Sequence, residues 1–460
     1  MAWPRWLQVP LSGSVSSGPS RTSNFKKRED NWVDGLRGVA SFIVLTGHLF
    51  TSFCKYLHSP ALEENGPSVL FQYPFLRLIV GGRGAVAIFF IVTGYVNSLN
   101  PIRHLAASNT SVALTNMSRS CFSRAGRLVF PTSIALTITW AATQLGAFRM
   151  GKRIDAPWIR DGCFYDEPFW ESVKQLAKNL TVFWKTGHSH YDGVHWSVPW
   201  FLAAAFRVYT VLLVMALVSR WSRYFITGFL WVFAWITKDY LIGLNVTVGM
   251  LLSQLHIDLG PRTTNLLPLP VPSLMMILGL FLWSFPQDNP EWAPWSRNMT
   301  NLMRLIGPED PDVISRYWVS LGTSVLMLGI TFSANAKSIL TLPLFNFLGR
   351  CSFAVYLLHN LLARSVLVWL LYAPAAWSTP WYDEEGNLIE LKRPSPLTFC
   401  IVMPIFYALL YAIAYLWTVY VDSFCVRMVN KLRDLMFKDE EKPQATEMTT
   451  PLTGVATGPR

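Results

Sequence analysis

Long apolar windows recur along the chain, separated by short stretches that are either basic or of mixed charge. Windows of about 17 to 25 apolar residues suffice to cross a hydrocarbon core roughly 30 Å thick. About ten such windows are present: 34–54, 83–100, 128–148, 196–218, 221–237, 239–256, 267–285, 316–335, 351–372 and 397–421. The pattern predicts an all-α fold, a polytopic membrane bundle of about ten transmembrane helices. Segment 68–82 is apolar but short, and reads as an interfacial or re-entrant piece leading into the second span. Residues 1–30 and 426–460 are expected to be polar, mostly disordered tails around a membrane domain at 31–425.

Within the first window, Arg37 and His48 interrupt an otherwise apolar run. Eleven residues at 100° each return to within about 20° of the same helix face, roughly 16 Å further along the axis. Ionisable groups inside a membrane are costly, and they usually line an interior cavity or pathway. Asp34 lies one turn before Arg37, where it can pair with it. Gly38 and Gly47 leave room for a neighbouring helix or a ligand. An imidazole that titrates near neutrality is a natural general base for an alcohol, which makes His48 the leading catalytic candidate. The alternative is a hydrogen bond between helices, the ordinary use of a polar side chain in a bundle.

Composition agrees with the membrane reading. Of 460 residues, 52% are hydrophobic and only 15% charged, against about 25% in globular domains. The net charge of +11 does not mark a nucleic-acid binder, because the basic residues are spread over short loops. Lys and Arg instead set orientation. Arg21, Lys26, Lys27 and Arg28 precede the first span, and Arg103, Arg119, Arg124 and Arg127 follow the second. Arg220 and Arg223 follow the fourth, and Arg427, Lys431 and Arg433 the last. With ten spans all of these fall on the cytosolic side with both termini, in the endoplasmic reticulum or another endomembrane. Sequons at Asn179 and Asn298 then face the lumen as expected glycan acceptors. Of the six cysteines, only Cys54 and Cys163 can meet there. No apolar stretch precedes residue 33, so the first span is expected to be its own targeting signal.

Four further segments carry candidate chemistry. The run GGRGAVAIFFIVTGY (81–95) opens on a glycine-rich turn around Arg83, where a helix N-terminus favours anions, and it ends at Tyr95. A tight turn with a snorkelling arginine would look the same. In SRAGRLVFP (123–131), Arg124 and Arg127 lie one turn apart, a spacing that can clamp phosphates and that also follows from orientation alone. His188, His190, Asp192 and His195 invite a zinc reading, but loop histidines without Cys or Glu partners read better as surface or lid residues, and no metal is expected. His359 sits in the ninth window, where it supports packing or lines the same cavity as His48.

Taken in order, these segments resemble the acyltransferase 3 family of multi-span membrane proteins. The resemblance lies in LRG…GH in the first span, GGRGAVAIFFIVTGY in the second, RxxRxxxP before the third and LGRxSFAVYLLH near the end. It covers about residues 32 to 425, and WSVP (196–199) is most similar to the fungal branch, several members of which acylate hydroxyls of natural products. The resemblance implies transfer of an acyl group, usually acetyl, from acyl-CoA as co-substrate to a small lipophilic alcohol such as a terpenoid or polyketide. It implies catalytic roles for His48 and Arg37 and binding of the acyl-CoA phosphates by Arg124 and Arg127, with Arg83 as a third candidate. Asp34, His359 and Tyr95 would support the site, and no tightly bound cofactor is implied. One position departs from the pattern: fungal relatives carry Glu two residues beyond the Pro of the Trp-x-x-Pro run, where this chain has Phe201. A transporter using Arg37 and His48 as a substrate or proton site is the alternative, although no paired broken helices suggest inverted repeats.

Overall fold

A computed structural model describes residues 31–162 and 168–437. The two expected tails beyond those limits, and Cys163, lie outside the described residues. Among the described residues the secondary structure is helical, apart from an isolated bridge between Tyr382 and Leu388.

Each expected span falls on a helix. α1 (Asn31–Phe53) and α2 (Gly82–Ala106) run antiparallel, since Gly47 faces Val80 and Gly82 while Trp32 packs on Tyr95. The segment between them is a set of short 3-10 turns whose Leu70, Tyr73 and Leu76 point outward, as an interfacial piece would. α3 (Thr110–Gln144) follows, and the next long connection folds into α4 (Pro157–Arg160) and α5 (Phe169–Thr186). Then come α6 (Ser197–Met215), α7 (Arg220–Ile236), α8 (Gly243–Leu259) and α9 (Pro270–Trp283). α10 (Pro294–Ile306), α11 (Pro311–Phe332), α12 (Ala334–Leu340) and α13 (Pro343–Leu362) lead into α14 (Val368–Ser378), α15 (Pro396–Trp417) and α16 (Ser423–Met436). Several helices begin on a proline, whose missing N–H costs nothing in the first turn.

The helices that meet a strict standard of length and hydropathy are fewer than the windows. Six helical units among the described residues are long and apolar enough to span, or seven if α8 and α9, bent by 116° at their junction, form one broken span. α7, α8 and α9 have 17, 17 and 14 residues, so apolar windows that looked membrane-wide include turns as well as helix. α16 also continues to Met436, past the expected end of the membrane domain at 425.

α1 lies at the centre, contributing Leu45 and Leu49 to one core with α13–α15 and Leu36, Ala40 and Val44 to another with α2, α8 and α11. It runs parallel to α13, and glycines let the two backbones touch. A Cβ on Gly38 would sit 2.5 Å from the Phe345 carbonyl oxygen, and one on Gly349 would sit 1.9 Å from that of Asp34. Small residues serve this purpose in membranes because lipid tails supply no hydrophobic drive between helices, which leaves close packing to do it. The outer surface is apolar, with Phe225, Phe229 and Ile236 of α7, Leu274 and Leu278 of α9, and Ile401 and Ile405 of α15 all exposed.

Candidate active site

The parallel contact of α1 with α13 sets two polar stations along one seam. Near the start of α1, Arg37 donates to Asp34 Oδ1 and to Ser352 Oγ, each at 3.2 Å. Seven residues beyond Ser352 on α13 stands His359, and there the His48 ring stacks on the His359 ring, with centroids 5.3 Å apart and planes 25° off parallel. About three helical turns on α1 and about two on α13 thus separate a cation from an imidazole pair.

His48 is held by stacking alone. Trp158 of α4 stacks on the same ring, at 5.1 Å and 19°, so His48 is packed against both an indole and an imidazole. Among the described residues the His48 ring makes no hydrogen bond, and the residue is half-buried. His359 is the reverse. It is 2% exposed, and its Nδ1 donates to the carbonyls of Val355 at 3.0 Å and Tyr356 at 2.9 Å. Carbonyls only accept, so Nδ1 carries the hydrogen and the neutral ring keeps Nε2 bare. That Nε2 is buried with no partner.

Behind the pair lies a buried polar network. Asp192, in the turn before α6, is fully buried. Its Oδ1 accepts from Val194 N at 2.9 Å and from Asn360 Nδ2 at 2.7 Å, while Oδ2 lies 3.6 Å from Arg364 and 3.7 Å from His195. Burial works to raise the Asp192 carboxyl, but the His195 and Arg364 charges and these hydrogen bonds outweigh it and hold the group below the usual carboxylate range. Arg364 follows α13 in a one-turn π-helix (Ala363–Leu367), a local bulge of the kind common at functional sites. Its guanidinium donates to the Gly162 and Tyr191 carbonyls and lies 4.7 Å over the Phe148 ring. His195 Nε2 donates to Leu357 O at 2.9 Å, and Tyr356 OH donates to Val194 O at 2.6 Å.

The arginine end is open by contrast. Arg124 feels the charges of Arg37 and Arg127, which puts the three guanidiniums within electrostatic reach of one another. Arg127 is exposed, and Arg124 has a buried Nε without a hydrogen-bond partner. Three neighbouring cations with one carboxylate among them, Asp34, leave an excess of positive charge, a setting suited to a phosphorylated ligand.

Other candidates fall elsewhere. Arg83 does not join Arg124 and Arg127: it starts α2 beside the end of α1, opposite to Arg37, and is paired with Asp312 at 2.5 Å. It lines a cavity of about 20 Å³ with His58, Arg77 and Ser315, room for about one water and not for a chain of phosphates. Arg83 thus stands apart from the Arg124 and Arg127 pair, as a partner of Asp312. Tyr95 packs on Trp32 and His256, away from His48. Asn179 is 4% exposed, and its Oδ1 accepts from His190 N, so the folded chain has no space for a glycan there; Asn298 is exposed. His188 is exposed, His190 packs edge-on to Tyr191 and His195 is buried against Asp192, so the three imidazoles do not converge. Phe201 stacks on Phe90 at 4.5 Å within an apolar cluster. Sequence reasoning missed Asn360 and Arg364 altogether. The signal available was a second cation in the ninth window, five residues past His359.

Comparison with known proteins adds the family. The acyltransferase domain model named Acyl_transf_3 matches residues 30–421. An acyltransferase of Phoma sp. is 25% identical over 408 residues, covering 76% of this chain and 85% of its own. An acyltransferase of Cochliobolus lunatus is 25% identical over 434 residues, 81% of this chain and 89% of its own. An O-acetyltransferase of Phomopsis amygdali is 27% identical over 205 residues, 39% of this chain and 40% of its own. No solved structure matches.

Proposed function

This chain belongs to the acyltransferase 3 family and is a membrane-embedded acyltransferase, and we propose that it moves an acyl group, acetyl first among candidates, from acyl-CoA to the hydroxyl of a small lipophilic secondary metabolite. The observation that carries this reading is the seam between α1 and α13, with an arginine group at one end and a half-buried histidine stacked on a second at the other. Roughly 16 Å separates Arg37 from His48 along α1, a span that an extended pantetheine arm can bridge.

In this reading the acyl-CoA phosphates rest on Arg124, Arg127 and Arg37 at the cytosolic end, and the thioester reaches His48. His48 takes the proton of the acceptor hydroxyl as its oxygen forms the new C–O bond. The C–S bond breaks, and the thiolate recovers that proton from the imidazolium. In this reading His48 rather than His359 is the base, because it is the less buried of the two and His359 Nδ1 is held by backbone carbonyls. Trp158 covers the His48 ring and excludes water, which would otherwise compete with the acceptor. Both termini then lie in the cytosol of an endomembrane, and Asn298 is the lumenal glycan acceptor.

The test is ester formation from labelled acetyl-CoA and a panel of terpenoid and polyketide alcohols, with the full chain in detergent or nanodiscs. His48→Ala is expected to lower kcat by about 10²- to 10⁴-fold, the usual worth of a positioned general base. Unchanged turnover in that variant would remove His48 from the chemistry. Substrate flux across proteoliposomes without CoA release would favour a transporter instead.

A further inference from the structure

The network behind the histidine pair has a feature that a plain buried ion pair lacks. Arg and carboxylate normally meet through two short parallel hydrogen bonds. Here the Arg364 guanidinium turns its donors on the Gly162 and Tyr191 carbonyls and approaches Asp192 no closer than 3.6 Å. His195 also spends its Nε2 hydrogen elsewhere, on Leu357 O. Asp192 Oδ2 is consequently buried and accepts no hydrogen bond. The carboxylate is kept charged by two cationic or polarisable neighbours, yet neither one caps it.

Its surroundings point that charge at the histidines. Asn360 follows His359 in the chain and donates to Asp192 Oδ1, while Leu357 is held by His195 and Tyr356 OH by Val194 O. The 192–195 turn thereby grips the last turn of α13, from which His359 projects. The charged and titratable groups around the pair are Asp192, His195 and Tyr356, with His58 in the 3-10 turn beyond α1 and Arg364 on the far side of Asp192. Of these, Asp192 alone is anionic, and its field reaches both His48 and His359.

We infer that Asp192 is a positioning residue for the histidine pair: it fixes the last turn of α13 through Asn360, and it supplies the buried negative charge that steadies the proton held by His48 during transfer. The inference rests on the acyl-transfer reading above. No new bond is made by Asp192. It stays ionised while the proton passes from hydroxyl to His48 to thiolate, and its share lies in electrostatic stabilisation set up before the reaction.

The experiment compares Asp192→Asn, Asp192→Glu and Asn360→Leu with the unaltered chain in nanodiscs, measuring kcat, KM for acyl-CoA and thermal unfolding. Asp192→Asn is expected to lower kcat about 10- to 100-fold, as loss of a supporting partner commonly does, with KM within about twofold. Asp192→Glu, which restores the charge, should recover most of that loss. Asn360→Leu keeps the charge and loses the tether, with an expected loss of about 3- to 10-fold in kcat. A kcat within twofold of the unaltered chain in Asp192→Asn overturns the inference. So does a parallel fall in kcat, KM and unfolding temperature that Glu does not relieve, since that pattern belongs to a structural brace. If Asp192→Asn does not fold, the folded Asn360→Leu protein decides, and full kcat there overturns the inference equally. Failure of the underlying reading shows differently: the unaltered chain forms no ester, or His48→Ala retains full turnover.

Discussion

The two ends of the α1–α13 seam hold polar groups on opposite terms. At the start of the seam Arg37 is about a third exposed, Arg127 is open to solvent and Arg124 keeps an unpartnered nitrogen. At the far end Asp192, His195, His359 and Arg364 are each at or below 2% exposure, and backbone carbonyls take most of their hydrogens. The difference follows from what each end has to do. A site for a highly charged, exchanging ligand has to stay wet and carry surplus cation, since a neutralised arginine has nothing left to offer a phosphate. A site that moves a proton needs fixed dipoles and little water, where each electrostatic contact is stronger. Breaking a buried pair such as Asp192 with Arg364 costs about 3–5 kcal/mol, whereas an exposed pair such as Arg37 with Asp34 contributes about 1 kcal/mol at most.

That contrast can be broken from either side. After the loss expected of His48→Ala, the next largest effect is on the open end: Arg124→Ala should raise KM for acyl-CoA about 10- to 100-fold, the loss of about 1.4–2.7 kcal/mol of phosphate binding, with kcat little changed. Steady-state kinetics with acyl-CoA and with acyl-pantetheine checks this, because the phosphate-free donor should not register the substitution. An equal loss with both donors would mean that Arg124 shapes the bundle rather than the donor site.

A smaller effect should sharpen the closed end. Trp158→Ala uncovers the His48 ring, and CoA release without ester formation should rise about threefold to tenfold relative to ester. Thiol release and ester product, measured in one reaction, give the ratio directly. An unchanged ratio would show that some other element keeps water out.

The smallest effect concerns His58, which ends the 3-10 turn Lys55–His58 after α1 and bonds to Thr51 at 2.7 Å. Burial lowers its pKa from 6.5; Asp288 opposes the shift, and Arg77, Arg83 and Lys55 add to it. A group depressed in the folded state stabilises the fold above its unfolded pKa, and that contribution is lost as pH falls from 6.5 through the folded value. The unfolding temperature should therefore drop on the acid side of 6.5, and by less in His58→Gln. Identical acid slopes for the two proteins would place the titration elsewhere.

Legibility in the sequence followed the range of the interactions. Arg37, Asp34 and His48 share one helix, so a fixed angular increment places them without tertiary knowledge. Arg124 and Arg127 were readable for the same reason. Arg83 could not be placed from the sequence because a glycine-rich turn before a helix looks alike whether it cradles a phosphate or merely starts a span; Asp312, which takes its charge, lies 229 residues away. Asn179 read as a surface sequon because its burial depends on how the 145–192 connection folds back. The apolar windows located the helices but not their ends, since apolar content does not reveal where a helix stops inside a window.

What the sequence determined by itself was therefore the helical membrane class, the family and the single-helix geometry of Arg37 and His48, all set by local periodicity and ordered motifs. The tertiary structure alone decided that His48 is stacked on Trp158 and His359, and that Asp192, Asn360 and Arg364 close behind them. Those residues come from separate segments, Asp192 and Asn360 alone lying 168 positions apart, and they are brought together by the glycine-lined contact of α1 with α13 and by the π-turn that carries Arg364. No periodicity records such an encounter, because it depends on which helix faces which.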